Sequence, residues 1–164
     1  MQNSSFIKWL HKPSKTWHEK VINILAAYTF CLLFISIVNY FYGWLYATEQ
    51  IPFFFKQYKH EWWIDFFGAC IIAPLAEEIL FRHLPMQILK NIKGYKKFLL
   101  PCMLFTSAVF GYMHQGAVSI PIQGVTGFVL CVVYLKNGYS YTSSVVLHFL
   151  WNFTLLCGMF KYMS

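Results

Sequence analysis

Apolar residues fall along the chain in long runs separated by short polar tracts. A membrane-crossing helix needs about 20 mostly apolar residues, and five stretches approach that: 21–47, 62–89, 98–114, 118–135 and 141–160. Each is too long and too evenly apolar for a half-buried strand or a one-faced surface helix. The pattern predicts an all-α fold, a polytopic transmembrane helical bundle of about five spans. Tryptophans and tyrosines gather near the run ends, including Trp44, Tyr46, Trp62, Trp63 and Tyr141, as an interfacial belt requires. Asn137-Gly138 is a turn signal between the fourth and fifth runs. The third run is short and contains Pro101, the weakest helix signal of the five.

The polar tracts set orientation. Lys8, Lys12, Lys15 and Lys20 precede the first run, Lys90, Lys93, Lys96 and Lys97 separate the second from the third, and Lys136 separates the fourth from the fifth. With five spans these nine lysines share one side, while Lys56, Lys59 and Lys161 fall on the other. The positive-inside rule then predicts a cytoplasmic N-terminus and an outside C-terminus, in a plasma-membrane protein. The chain divides into a basic N-terminal segment (1–20), a first span (21–47) and a core (62–160). The basic segment, with Phe6, Ile7, Trp9, Leu10 and Trp17 among its lysines, reads equally as a surface-lying helix or a solvated tail.

Composition agrees with this picture. Hydrophobic residues make up 58% and charged residues 12%, against about 25% charged in soluble domains. The bilayer is therefore the expected partner. The +7 net charge belongs to loop lysines, which disfavours nucleic acid. All five cysteines lie in apolar runs without C-x-x-C spacing and read as small buried hydrophobes. The first apolar run is too long for the 7–15-residue core of a signal peptide.

The stretch "APLAEEILFRHLP", Ala73 to Pro85, breaks the pattern by placing Glu77, Glu78 and Arg82 in an apolar run. An ionised residue at mid-membrane costs about 2.5–3.5 kcal/mol on insertion scales. Glu78 and Arg82 are four apart, so they share a helix face and can neutralise each other. Glu77 is rotated by about 100° and is expected to point elsewhere. It needs a proton, water or a partner on another helix. Two other runs offer one: "FGYMH" with Phe110 and His114, and "HFLWN" with His148 and Asn152, each pair four apart on one face. At 1.5 Å per residue, Glu77 lies about 20 Å from the lysine-rich end, His148 about 10 Å, Asn152 about 16 Å and His114 about 25 Å. The depth of His114 suggests that "QGAVSIPIQG", which follows it, is partly buried. Pro74 is expected to kink the second span and free a backbone carbonyl.

Glu77-Glu78-x-x-x-Arg82, Phe110-x-x-x-His114 and His148-x-x-x-Asn152, in that order and each in an apolar run, resemble the three signature motifs of the CAAX protease and bacteriocin-processing (CPBP or Abi) family of intramembrane proteases. The resemblance covers about residues 62–155. It implies a glutamate-type endopeptidase acting on membrane-associated peptides or protein C-termini, without metal or cofactor. In it Glu77 would activate water, His114 would hold that water, His148 and Asn152 would form the oxyanion hole, and Glu78 with Arg82 would be the supporting pair. The family commonly has Gly after the motif arginine; here His83 stands there, which implies altered packing or an added polar contact. The chain is short for the family, so a partner or a homo-oligomer would complete the walls. Two other readings stay open: a zinc-dependent protease using Glu77, His114 and His148, although no H-E-x-x-H is present, and a non-catalytic bacteriocin self-immunity or scaffold protein that binds a peptide in the membrane.

Overall fold

The computed structural model of the chain describes residues 5–45 and 62–163, all helix or short connection. The expected end of the first span beyond Leu45, and Lys56 and Lys59, lie outside the described residues. α1 (Ser5–Leu10) is short and α2 (Trp17–Leu45) long. Residues 62–90 form one helical run of alternating segments: α3 (Trp62–Asp65), a π-helical stretch Phe66–Ile72, α4 (Ala73–Glu78), a second π stretch Ile79–His83, and α5 (Leu84–Lys90). α6 (Leu99–Gln115), α7 (Val125–Lys136) and α8 (Tyr141–Met163) complete the bundle. Among the described residues, Trp17–Val38 has the length and apolarity to cross a membrane unaided, and Leu99–His114 and Ile120–Lys136 are apolar but shorter.

Prolines explain the irregular helices. Proline lacks an N–H and its ring presses on the carbonyl four residues back. A widened turn relieves that pressure. The first two π stretches end immediately before such a site: Ala73, preceding Pro74, donates to the Gly68 carbonyl, and Leu84, preceding Pro85, to that of Ile79, each five residues back. Pro101 does no damage, because it occupies the first turn of α6, where an N–H has no helical partner anyway.

The "QGAVSIPIQG" segment is partly buried, as expected. It forms a 3₁₀ turn, Gly116–Ser119, and a π stretch, Ile120–Gly124, packed back onto α6. Contact is backbone to backbone: a Cβ at Gly111 would lie 2.8 Å from the Gly124 nitrogen and 2.9 Å from the Ile120 Cα. Neither atom can rotate away. Gly111→Ala is therefore expected to destabilise the fold by about 1–3 kcal/mol, read as a lowered thermal midpoint; an unchanged midpoint would show that α6 and this segment slide freely.

The basic segment is not a free tail. Leu10 is buried against Met86, Leu89, Met103, Tyr134 and Leu135. Lys136 donates its Nζ to the carbonyls of Trp9 (3.1 Å) and Lys12 (2.7 Å), capping the end of α1. The buried Asn137 donates to the Lys20 carbonyl (3.1 Å) and accepts from Asn23 (2.8 Å). The Asn137-Gly138 turn, with Gly138 at φ +77°, thus clamps the N-terminal segment as well as joining α7 to α8.

Candidate active site

α4 brings Glu77 and Glu78 to the bundle centre, α8 brings His148, and the second π stretch brings Arg82. Glu78 and Arg82 are wholly buried. Their Oε1 and Nη1 are 3.0 Å apart, the intrahelical pair that the spacing predicts. Arg82 also donates Nη2 to the Gly127 carbonyl (3.3 Å) and lies 4.1 Å above the Phe110 ring. Gly127 is required here: a Cβ would stand 2.9 Å from the Phe110 ring and 3.0 Å from Nη2.

His148 is buried between both glutamates. Its Nδ1 is 2.8 Å from Glu78 Oε1, and its Nε2 is 3.6 Å from Glu77 Oε2. Glu77 thus meets a partner on another helix, one of the three outcomes its position allows, and that partner is the same histidine that Glu78 holds. The two carboxylates do leave the helix at different angles, but an imidazole has nitrogens on two edges and meets one carboxylate with each. A carboxylate can only accept, so Nδ1 carries the hydrogen toward Glu78. Glu77 differs from its neighbour in access. Its side chain is 27% exposed, whereas that of Glu78 is fully enclosed. Its Oε2 is nevertheless buried and makes no hydrogen bond among the described residues; Glu78 Oε2 and Arg82 Nε are in the same position.

His114 and Asn152 hold other partners. His114 is exposed, with Nδ1 2.8 Å from the Phe110 carbonyl. A carbonyl cannot donate, so Nδ1 bears the hydrogen and Nε2 is left as an acceptor. The Phe110 ring touches both histidines, with centroids 4.5 Å from His114 and 5.7 Å from His148. Asn152 lies one turn beyond His148 and donates Nδ2 to the Ala69 carbonyl at 2.7 Å. That carbonyl is the one Pro74 frees: its α-helical donor, Ala73, bonds Gly68 instead, and its π-helical donor would be Pro74 itself. Asn152→Leu is therefore expected to cost about 1–3 kcal/mol through the stranded carbonyl. If the amide's second N–H also serves catalysis, turnover falls by more than this loss of stability explains; equal falls would make the residue purely structural.

His83 makes the added polar contact its position implied. Its Nδ1 is 3.2 Å from the Tyr134 hydroxyl, which also accepts from Gln87 (3.2 Å). Phe110, Gly127 and Tyr134 have roles that residue type alone does not announce; the one signal was the recurrence of Phe110 four residues before His114. As for metals, no group of three His, Cys, Asp or Glu side chains among the described residues is arranged to hold an ion. His114, needed by the zinc reading, turns Nδ1 to a backbone carbonyl.

A protein-family model described as Rce1-like type II CAAX prenyl endopeptidase matches residues 59–154, more than half of the chain and all three polar motifs. No curated protein and no solved structure matches it.

Proposed function

The chain belongs to the Rce1-like type II CAAX prenyl endopeptidase family, whose members are membrane-embedded proteases, and from that premise we propose that it is a glutamate-type intramembrane endopeptidase with Glu77 as general base. The observation that carries this reading is the inequality of the adjacent carboxylates: Glu78 is enclosed, with Oε1 held by Arg82 and His148 at 3.0 and 2.8 Å, while Glu77 is partly open and its Oε2 stands 3.6 Å from His148 Nε2. One carboxylate is structural and the other is free to take a proton.

A water held by the Glu77 carboxylate gives it a proton as the water oxygen attacks the scissile carbonyl carbon. The tetrahedral oxyanion collapses, the C–N bond breaks, and Glu77 returns the proton to the leaving amine. His114 Nε2, an acceptor in the neutral ring, can orient the water's second proton. His148 can donate to the oxyanion only as the imidazolium, because the hydrogen on Nδ1 is directed at Glu78. With that charge the set Glu77, Glu78, Arg82 and His148 sums to zero, which suits a site in hydrocarbon. The second Asn152 N–H would be the other oxyanion donor. The substrate is a membrane-associated peptide or protein C-terminus, and the nine lysines favour a plasma-membrane protein with its own N-terminus in the cytoplasm.

The test compares peptide termini by mass spectrometry in membranes carrying equal amounts of the natural protein or Glu77→Gln. New termini that depend on Glu77 support proteolysis and name the substrate. Identical termini, with both proteins folded and the natural partner present, would replace this reading with a peptide-binding scaffold or immunity protein.

A further inference from the structure

A wide groove whose lining includes neither glutamate lies between α2 and α7. Its volume is about 320 Å³, within the roughly 300–1,000 Å³ range of small-molecule sites. Ala26 and Phe30 of α2 and Val125, Phe128 and Val129 of α7 line its apolar length, and Lys136 and Trp9 stand at one end. The groove exists because α2 presents the small side chains of Ala26 and Ala27 where it passes α7. α2 is also scarcely covered, with only 6% of Trp17–Val38 buried. α1 runs along the groove, with Trp9 at its polar end and Phe6 against Phe128 of its apolar length, centroids 6.5 Å apart.

The groove is therefore amphipathic, and its polar end is strongly basic. Lys8, Lys12, Lys15, Lys20 and Lys136 belong to the segments that meet there, and the neighbouring connection adds Lys90, Lys93, Lys96 and Lys97. The two connections adjoin: His11 packs on Tyr95, and Lys90 lies 3.6 Å from the Tyr139 ring centroid. Against these nine cations the same segments carry one carboxylate, Glu19, whose Oε2 is already held by the Lys15 and Thr16 backbone N–H groups (2.6 and 3.5 Å). Lys136 itself bonds two neutral carbonyls and lies 4.6 Å from the Trp9 ring centroid.

We propose that this groove binds one anionic phospholipid, with an acyl chain between α2 and α7 and the phosphate at the Lys136 end. An uncharged chain would satisfy the walls but leave the lysines uncompensated; a free phosphate would leave the apolar length empty. The site pins the N-terminal segment, which lies outside the matched family region, to the lipid as well as to the bundle.

The test is native mass spectrometry of the full chain, purified in mild detergent and supplied with phosphatidylglycerol or phosphatidylcholine. One phosphatidylglycerol is expected to remain bound about tenfold more than phosphatidylcholine, the scale that one or two lysines give near an anionic head group. Ala26 is exposed, so Ala26→Phe fills the groove without entering the core or touching a lysine; it is expected to abolish the retention. Lys12→Gln with Lys15→Gln is expected to keep binding but lose the preference. Equal retention of both lipids, unchanged retention in Ala26→Phe, or displacement of phosphatidylglycerol by uncharged farnesol would each overturn the proposal.

Discussion

Glu77→Gln is expected to fold like the natural protein and to cleave about 100- to 10,000-fold more slowly, the contribution typical of a positioned general base. Glutamine keeps the shape and polarity of the side chain but cannot take up a proton. Stability should change little, because Glu77 Oε2 makes no hydrogen bond among the described residues and its approach to His148 Nε2 is a long 3.6 Å. The measurement pairs a single-turnover cleavage rate with a thermal midpoint in the same detergent. Loss of rate at constant midpoint is the expected signature. A rate indistinguishable from that of the natural protein would remove Glu77 from the chemistry.

Arg82→Leu carries the opposite signature. Removing one member of a buried ion pair strands the other charge and costs about 3–5 kcal/mol. Arg82 is fully enclosed and ties together α4, through Glu78, α7, through the Gly127 carbonyl, and α6, through the Phe110 ring. The thermal midpoint is expected to fall by about 10 °C. The double variant Arg82→Leu, Glu78→Leu should recover part of that fall, since an apolar pair can replace a buried ion pair at little net cost. Midpoints for Arg82→Leu equal to those of the natural protein would mean that the pair does not anchor the helix.

The two outcomes separate roles that the dipeptide Glu77-Glu78 leaves ambiguous. Two identical side chains stand side by side, and composition cannot say which is enclosed. Spacing assigned Glu78 to Arg82, because i and i+4 share a face on an α-helix. It could not find His148 between the two carboxylates, since that depends on how α8 is rotated against α4. The π stretches on both sides of α4 added to the difficulty: each widened turn shifts the helical phase, so a uniform 3.6-residue repeat does not relate α4 to the segments before and after it. The freed carbonyl within the first π stretch was foreseeable from Pro74. That Asn152 would meet it was not. The N-terminal segment shows the same limit: its lysines and aromatics suit a membrane surface, and burial of Leu10 follows only from the gap that α5, α6 and α7 leave.

By itself the sequence determined an all-α bundle, its apolar runs and the three polar motifs that meet the family pattern, because run length, i to i+4 spacing and loop charge are local properties of a chain. The tertiary structure decided which nitrogen of His148 meets which glutamate, that His114 and Asn152 bond backbone carbonyls, that His83 meets Tyr134, and that the basic head is clamped by the Asn137-Gly138 turn. Those are matters of aim. Aim is set by helix rotation, proline-induced phase shifts, the close backbone approach at Gly111 and the side chains of Phe110 and Arg82 pressed against Gly127, none of which any one segment specifies alone.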